Sequence, residues 1–271
     1  MQFTVLMSVY YKEKAEYLQL ALESIINQTV KPNEIVLVQD GKLTEELQYV
    51  ITKYQQNYPD IFKTYALQQN QGLGKALNFG MQKCSNDLIA RMDTDDIAEP
   101  CRFELQIKEF AQDEELTLCG GQIAEFANNP NEITGYRNVP LKHNEILNFA
   151  KKRNPFNHMT VMFKKQAVQS VGGYMDMPYF EDYWLWARML EAGYKVKNID
   201  QVLVSVRAGQ DMIARRGGLN YVKCIIRLEK ALHIIGIINL AEMIGYMTLR
   251  SIVSVMPESL RLMIYGWKLR K

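Results

Sequence analysis

Apolar and polar positions alternate along the first hundred residues in two rhythms. FTVLMSVY (3–10) is a nearly unbroken apolar run, the pattern of a strand covered on both faces. KEKAEYLQLALESIINQT (12–29) instead places Leu18, Leu22, Ile25 and Ile26 at helical spacing with charges between them. EIVLVQDG (34–41) predicts a second buried strand ending in Asp40-Gly41, and TEELQYVITKYQQNY (44–58) a second helix. FKTYALQQN (62–70) predicts a third strand, GKALNFGMQKC (74–84) a third helix, and DLIARMD (87–93) a fourth strand. This alternation is the signature of a doubly wound α/β sheet, flanked by helices and mostly parallel. Such sheets bind ligands at the carboxyl ends of their strands, so Asp40 and Asp93 are expected to border one crevice.

After Pro100 the pattern loosens. RFELQIKEFAQDEE (102–115) reads as a helix, LTLCGGQIAEFA (116–127) as strand-like, and residues 128–146 as a polar, turn-rich excursion. PFNHMTVMFKK (155–165) returns to a strand, and EDYWLWARMLEAGY (181–194) is a helix opening on two acids. From Asn220 the chain is apolar, helical in pattern and fringed by Lys and Arg. The expected division is therefore a catalytic unit over 1–218, split into halves at 1–100 and 101–218, with a helical appendage over 219–271.

Composition narrows the function classes. With 48% hydrophobic residues the chain is an ordinary globular one, and a net charge of +2 lacks the basic surface that nucleic acid requires. Cys84, Cys101, Cys119 and Cys224 form no CxxC pair, which points to reduced thiols in a cytoplasmic protein, not to zinc or redox chemistry. The start, MQFTVLMSVYYKEK, lacks the basic-then-apolar design of a secretory signal.

Three stretches carry candidate chemistry. ARMDTDDIAEP (90–100) sets Asp93, Asp95 and Asp96 at a strand end. Carboxylates there suit a hard divalent cation and a diphosphate; a solvated turn, with Asp96 capping the next segment, is the other reading. NQGLGKALNFG (70–80) offers glycines for close backbone approach and Lys75 as a point charge for a phosphate; an ordinary loop before a helix fits equally. In YFEDYWLWARM (179–189), Glu181 and Asp182 favour a helix N-terminus, and a half-buried carboxylate among aromatics also suits a general base. His158, Arg91 and Arg207 each admit a structural role as readily as a functional one.

Taken in order, TVLMSVYYKE, ALESIINQT, EIVLVQDG, NQGLGKALNFG, IARMDTDD, NPFNHMTVMF, GGY, YFEDYWLWARM and VLVSVRAG resemble a family 2 glycosyltransferase of GT-A fold, closest to bacterial capsule and surface-glycan transferases. The resemblance covers roughly residues 3 to 208. It implies an inverting transfer of a hexose or N-acetylhexosamine from a nucleotide sugar, UDP-linked, to a lipid-linked or protein-bound glycan, with Mn²⁺ or Mg²⁺ as cofactor. It places Val9, Tyr11 and Glu13 near base and ribose, Asp40 on the uracil, and Lys75, Arg91 and Arg207 on the sugar-nucleotide side. Asp93 would face ribose, sugar and metal, and Asp95 the metal. Asp182 matches the general base, with Glu181 its neighbour, and His158 and Trp184 lie on the acceptor side. A nucleotidyltransferase and a catalytically silent sugar-nucleotide-binding assembly protein are the competing functions.

Residues 231–249 approach membrane-spanning length, but His233, Asn239 and Glu242 interrupt them. Two readings stay open for the appendage. One is a basic amphipathic segment on the inner face of the membrane; the other is packing on the catalytic unit or on a second subunit.

Overall fold

The computed structural model describes residues 1–208, 217–257 and 260–261. Strands β1 (Phe3–Val9), β2 (Glu34–Gln39), β3 (Phe62–Ala66) and β4 (Leu88–Arg91) alternate with helices α1 (Ala15–Ile26), α2 (Glu45–Asn57) and α3 (Leu73–Lys83). β1 pairs in parallel with β2 on one side and β4 on the other, and β3 adds in parallel outside β2. Every residue of β1 but Ser8 is buried, because both faces are covered. Phe3, Val5, Met7 and Val9 enter one core, with α1, α2 and part of a fourth helix. Leu6, Val36 and Val38 enter a second core beneath α3. Period-two alternation thus feeds two layers at once, which is why these strands read as continuous apolar runs.

Beyond β4 the sheet continues through the second half without a break. After the short β5 (Ile97–Ala98) come α4 (Arg102–Gln112), β6 (Leu116–Phe126), β7 (Ile133–Arg137) and α5 (His143–Ala150). A 3₁₀ turn at His158–Thr160 then leads to β8 (Met162–Lys164), α6 (Lys165–Ser170), α7 (Glu181–Glu191) and β9 (Lys195–Arg207). The strand order is β3-β2-β1-β4-β8-β6-β9-β5, with β7 on β6. Here pairing is mixed: β8 is antiparallel to β4 and β6, while β9 runs parallel to β6.

The excursion over 128–146 is more ordered than its polarity predicts. β7 is mostly solvent-exposed, so its hydrogen bonds to β6, not its burial, hold it. The strand ending at Arg207 is longer than its last apolar residues indicate, because Lys195–Ile199 also pair along β6 although Lys195, Lys197 and Asn198 are polar.

The appendage forms an antiparallel-type helix hairpin, α8 (Leu219–Ile234) and α9 (Leu240–Val255). Gly236 at φ 80° turns the chain, and Asn239 caps α9 by accepting from the Glu242 N–H at 2.9 Å. Leu228, Leu232 and Ile238 pack with Met177, Tyr183 and Ala187 in a third core. The packing reading of the appendage therefore holds for α8. Lys268, Arg270 and Lys271 of its basic fringe lie outside the described residues, as does Gly209.

Candidate active site

Asp40, Glu13 and the aspartate cluster follow the carboxyl ends of β2, β1 and β4 respectively. Asp40, just past β2, is almost wholly buried and accepts the backbone N–H groups of Gln71 at 2.7 Å and Gly72 at 3.0 Å. It thereby clamps the glycine loop to the sheet. Gly41 must be glycine: φ is 87°, and a Cβ there would lie 2.7 Å from the Asn70 nitrogen. Lys75 stands exposed in the first turn of α3.

The loop after β1 bends over the aspartates. Glu13 accepts from its neighbour Lys14 N–H at 2.8 Å and from the Thr94 hydroxyl at 2.9 Å, bridging to the turn after β4. Tyr11 stays 51% exposed at the tip. Val9 ends β1 with its side chain fully buried, and its carbonyl accepts from the Asp40 N–H at 2.8 Å.

Asp93, Asp95 and Asp96 can each direct a carboxylate oxygen so that all three atoms lie within 4.8 Å of one another. Their surroundings differ. Arg91, buried at the end of β4, pairs with Asp93 through both of its terminal nitrogens. Its predicted donor role becomes a structural one, since its guanidinium points into the protein and holds Asp93. Asp96 is no helix cap; it accepts the Arg207 backbone N–H at 3.0 Å and fastens the aspartate turn to the end of β9. Asp95 is pushed up to about 7, first by burial and then by the charges of Asp93 and Glu13. Burial, followed by Asp95 and Asp93, also raises Asp96.

The opposite end of the sheet behaves differently. Burial alone would raise Glu34, yet hydrogen bonds from Lys63, Ser85 and Thr4 hold it down at about 2. The same carboxyl chemistry is satisfied there and left in mutual repulsion here. A divalent cation relieves that repulsion, and hard carboxylate oxygens are the donor set that Mg²⁺ and Mn²⁺ prefer. Asp93 and Asp95 therefore fit such an ion.

Glu181 and Asp182 open α7, as the acidic start of that helix predicts. A Cβ on Gly74 would meet Glu181 Cβ at 3.7 Å, so the acidic pair stands against the first turn of α3. Asp182 accepts from Asn154 Nδ2 at 2.6 Å and from the Tyr183 N–H at 2.7 Å. Burial raises the carboxyls of both Asp182 and Glu181, and one oxygen of Glu181 is buried without a hydrogen-bond partner. Tyr174 stands against the same turn of α3 as Glu181, since a Cβ on Gly74 would also meet Tyr174 Cβ at 3.5 Å, and burial raises its hydroxyl while Arg91 opposes the rise.

His158 contacts the Tyr174 hydroxyl at 2.8 Å and packs edge-on to Trp186. Burial and then Arg91 keep it well below the usual imidazole range, so it is neutral. Arg207 stacks 3.7 Å from the centre of the Tyr17 ring and donates to the Asn128 carbonyl at 3.3 Å. Trp184, half-buried, packs with Phe180 against the cluster that docks α8.

Several contributing residues were not singled out in the sequence. Thr94 lies inside the DTDD stretch, and Asn154 and Tyr174 lie in the NPFNH and GGY stretches. Arg102 and Gln106 on α4 are wholly buried, and Arg102 donates to the Arg91 carbonyl at 2.6 Å. Nothing in a charged helical pattern marks such residues as supports of the strand end.

A family model described as "Glycosyl transferase family 2" matches residues 4–174, more than half of the chain. The chain belongs to glycosyl transferase family 2. It is thus a glycosyltransferase, and its curled α/β sheet with flanking helices is the GT-A fold. The amylovoran biosynthesis glycosyltransferase AmsE of Erwinia amylovora is 42% identical over 266 residues, 97% of either chain. The Escherichia coli UDP-Gal:alpha-D-GlcNAc-diphosphoundecaprenol beta-1,3-galactosyltransferase is 37% identical, over 100% of this chain and 97% of its own. Among solved structures, residues 1–349 of Staphylococcus aureus TarS in complex with UDP-GlcNAc align with a TM-score of 0.68 at 15% identity. That alignment covers 100% of this chain and 76% of the other. The acidic pair of this glycosyltransferase lies beyond the family-model match, so its role rests on geometry.

Proposed function

We propose that this glycosyltransferase moves a hexose or N-acetylhexosamine from a UDP-sugar to a hydroxyl of a lipid-linked glycan, with inversion, in bacterial surface polysaccharide synthesis. The observation that carries the reading is the aspartate cluster just past β4, with carboxylate oxygens within 4.8 Å of one another, together with the Glu181–Asp182 pair against the first turn of α3. The names of the two bacterial relatives support the polysaccharide setting, the UDP-sugar and the lipid diphosphate acceptor.

In this reading Asp182 receives the proton of the acceptor hydroxyl. Its raised affinity for protons, from burial, makes it a better base than an exposed aspartate. The acceptor oxygen bonds to the anomeric carbon as the bond to the diphosphate breaks on the opposite face, its electrons leaving with UDP. Asn154 and the Tyr183 N–H fix the base, each occupying one lone pair of a different oxygen. Asp93 and Asp95 would hold Mg²⁺ or Mn²⁺, which supplies charge neutralisation to the diphosphate leaving group. Tyr11 and Glu13 line the nucleoside side, Lys75 offers a point charge to the phosphates, and Asp40 keeps the glycine loop in place.

The test is to incubate purified protein and Mn²⁺ with UDP-, GDP- and dTDP-sugars, with and without a GlcNAc-diphospholipid, following nucleoside diphosphate release and product anomer. UDP release stimulated by the lipid acceptor, with inverted product, is expected. Retained configuration, or turnover with GDP-sugars alone, overturns the assignment.

A lipid acceptor also gives a reason for the outer face of α9. Leu240, Ile244, Leu249, Ile252 and Val255 are each about half exposed (49–58%). Residues 219–271 carry eight Lys and Arg against three Glu, whereas residues 1–218 carry 24 against 27. Among the described residues no helix is long and apolar enough to cross a membrane. An apolar helix face on a cationic segment suits an anionic bilayer surface. Sedimentation with phosphatidylglycerol vesicles is expected, and Ile244→Asp with Leu249→Asp should abolish it. Undiminished vesicle binding by that variant contradicts this contact; loss of a dimer instead assigns the face to a second copy.

A further inference from the structure

We propose that Arg250 is a positioning residue for the general base, tying the C-terminal helix pair to both chain segments that hold Asp182. The proposal rests on the reading of Asp182 given above. Arg250 projects from α9 and makes three contacts. It pairs with Glu229 of α8 at 2.7 Å, donates to the Lys152 carbonyl, and lies 5.9 Å from the centre of the Tyr183 ring.

Two of these contacts lead to the base. Lys152 precedes by two residues Asn154, whose amide holds Asp182 Oδ2 at 2.6 Å. Tyr183 follows Asp182, and its N–H holds Oδ1 at 2.7 Å. The Tyr183 hydroxyl then donates to the Ala150 carbonyl at 2.5 Å, closing a ring between α7 and the end of α5. One guanidinium therefore touches both segments that fix the two carboxylate oxygens.

Packing alone does not call for such a contact. Glu229 has no exposed surface, and burial raises its carboxyl while Arg250 opposes the rise. A buried ion pair is weak evidence for stability, because removing two charges from water offsets their attraction, and apolar residues often pack as well. Leu228, Leu232 and Ile238 already dock α8 on α7. What Arg250 adds is direction: a planar guanidinium presents several donors at fixed angles, which an ammonium does not, so that one nitrogen stands by Glu229 as an ion pair while the other donates to the Lys152 carbonyl. Orientation matters at a base, where a shift of about 1 Å costs on the order of 100-fold in rate.

Two variants separate positioning from folding. Arg250→Lys keeps the charge beside Glu229 and loses the fork. Arg250→Met with Glu229→Leu removes both charges, leaving no uncompensated carboxylate. Both are expected to keep Tm within a few degrees. Each should lower kcat for UDP release from UDP-galactose or UDP-GlcNAc, with a GlcNAc-diphospholipid acceptor, by roughly 10-fold or more, leaving donor KM within about twofold. Added to Asn154→Ala, the loss should not multiply, because both act through Asp182. Amide exchange at residues 150–154 and 181–183 should quicken in both variants, whatever the substrate.

Unchanged kcat, fully multiplying losses or unchanged exchange in those segments each overturns the proposal. Full turnover in Asp182→Asn overturns the base assignment and this proposal together. Loss of turnover in Asp182→Asn with normal Arg250 variants overturns this proposal alone.

Discussion

Asp182→Asn is expected to lower kcat by roughly 10²–10⁴-fold, or about 3–5 kcal/mol of transition-state stabilisation. Asparagine keeps the size of the side chain and loses the capacity to take a proton; its NH2 replaces the oxygen that meets Asn154, whose amide must turn its own oxygen towards it. The Tyr183 N–H can still donate to the amide oxygen, so the start of α7 should stay folded and Tm near that of the parent. Donor KM should change little, because the acid faces the acceptor in the proposed reaction. The parent enzyme should show an acid limb in its kcat–pH profile. Burial raises the Asp182 carboxyl, so the charged form needed as base is present above the raised value and lost as pH falls through it. That limb should disappear in the variant's residual rate. Comparable kcat in Asp182→Asn and the parent would falsify the base assignment, and Glu181 would be the next candidate.

The strand ends were legible in the sequence because both-face burial produces apolar runs, and those of β2 and β4 stop at or just before an acid, Asp40 and Asp93. That pattern puts Asp40 and Asp93 at the carboxyl ends of strands, and β2 and β4, which they follow, flank β1 on either side. The acidic start of α7 was legible for a similar reason, as helix N-termini favour carboxylates. What the pattern withheld was which neighbour each residue meets. Glu13 reaches Thr94 across 81 residues and Asn154 reaches Asp182 across 28, separations that no local period encodes. The side of α7 that each aromatic takes was not legible, because the helix is buried almost all round from Tyr183 through Leu190 and its period marks no single face. Asp96 was misjudged because an aspartate in a turn ordinarily caps the segment next in the chain. Here the strand it joins, β9, is more than a hundred residues away.

Asp95→Asn is expected to reduce turnover by roughly 10²–10³-fold, the range seen when one charge-stabilising group is removed from a reaction centre. It should also raise the stability of the cation-free protein. The Asp95 carboxyl stands at about 7, raised by burial and then by Asp93 and Glu13. The folded protein thus holds this proton over a pH range in which the unfolded chain has lost it. Stability falls as pH rises from about 4 towards 7, and the penalty is complete above it. A neutral amide carries no such penalty, so at pH 8 without divalent cation the variant should melt higher, by roughly 2–4 °C for each kcal/mol relieved. Added Mn²⁺ should raise the parent's Tm and leave the variant's almost unchanged, since binding to the folded state stabilises by mass action. The proton and the cation compete for one carboxylate, so Mn²⁺ affinity should weaken by up to about tenfold per pH unit below 7. Calorimetric titration of Mn²⁺ at pH 6 and pH 8 measures this without any sugar substrate. Equal affinity at both pH values, or equal Mn²⁺ stabilisation of parent and variant, would mean that Asp95 does not hold the ion. The opposing signs of the two effects are the physical mark of a cation site: repulsion that lowers stability in the empty cluster becomes binding energy once a divalent ion lies between the carboxylates.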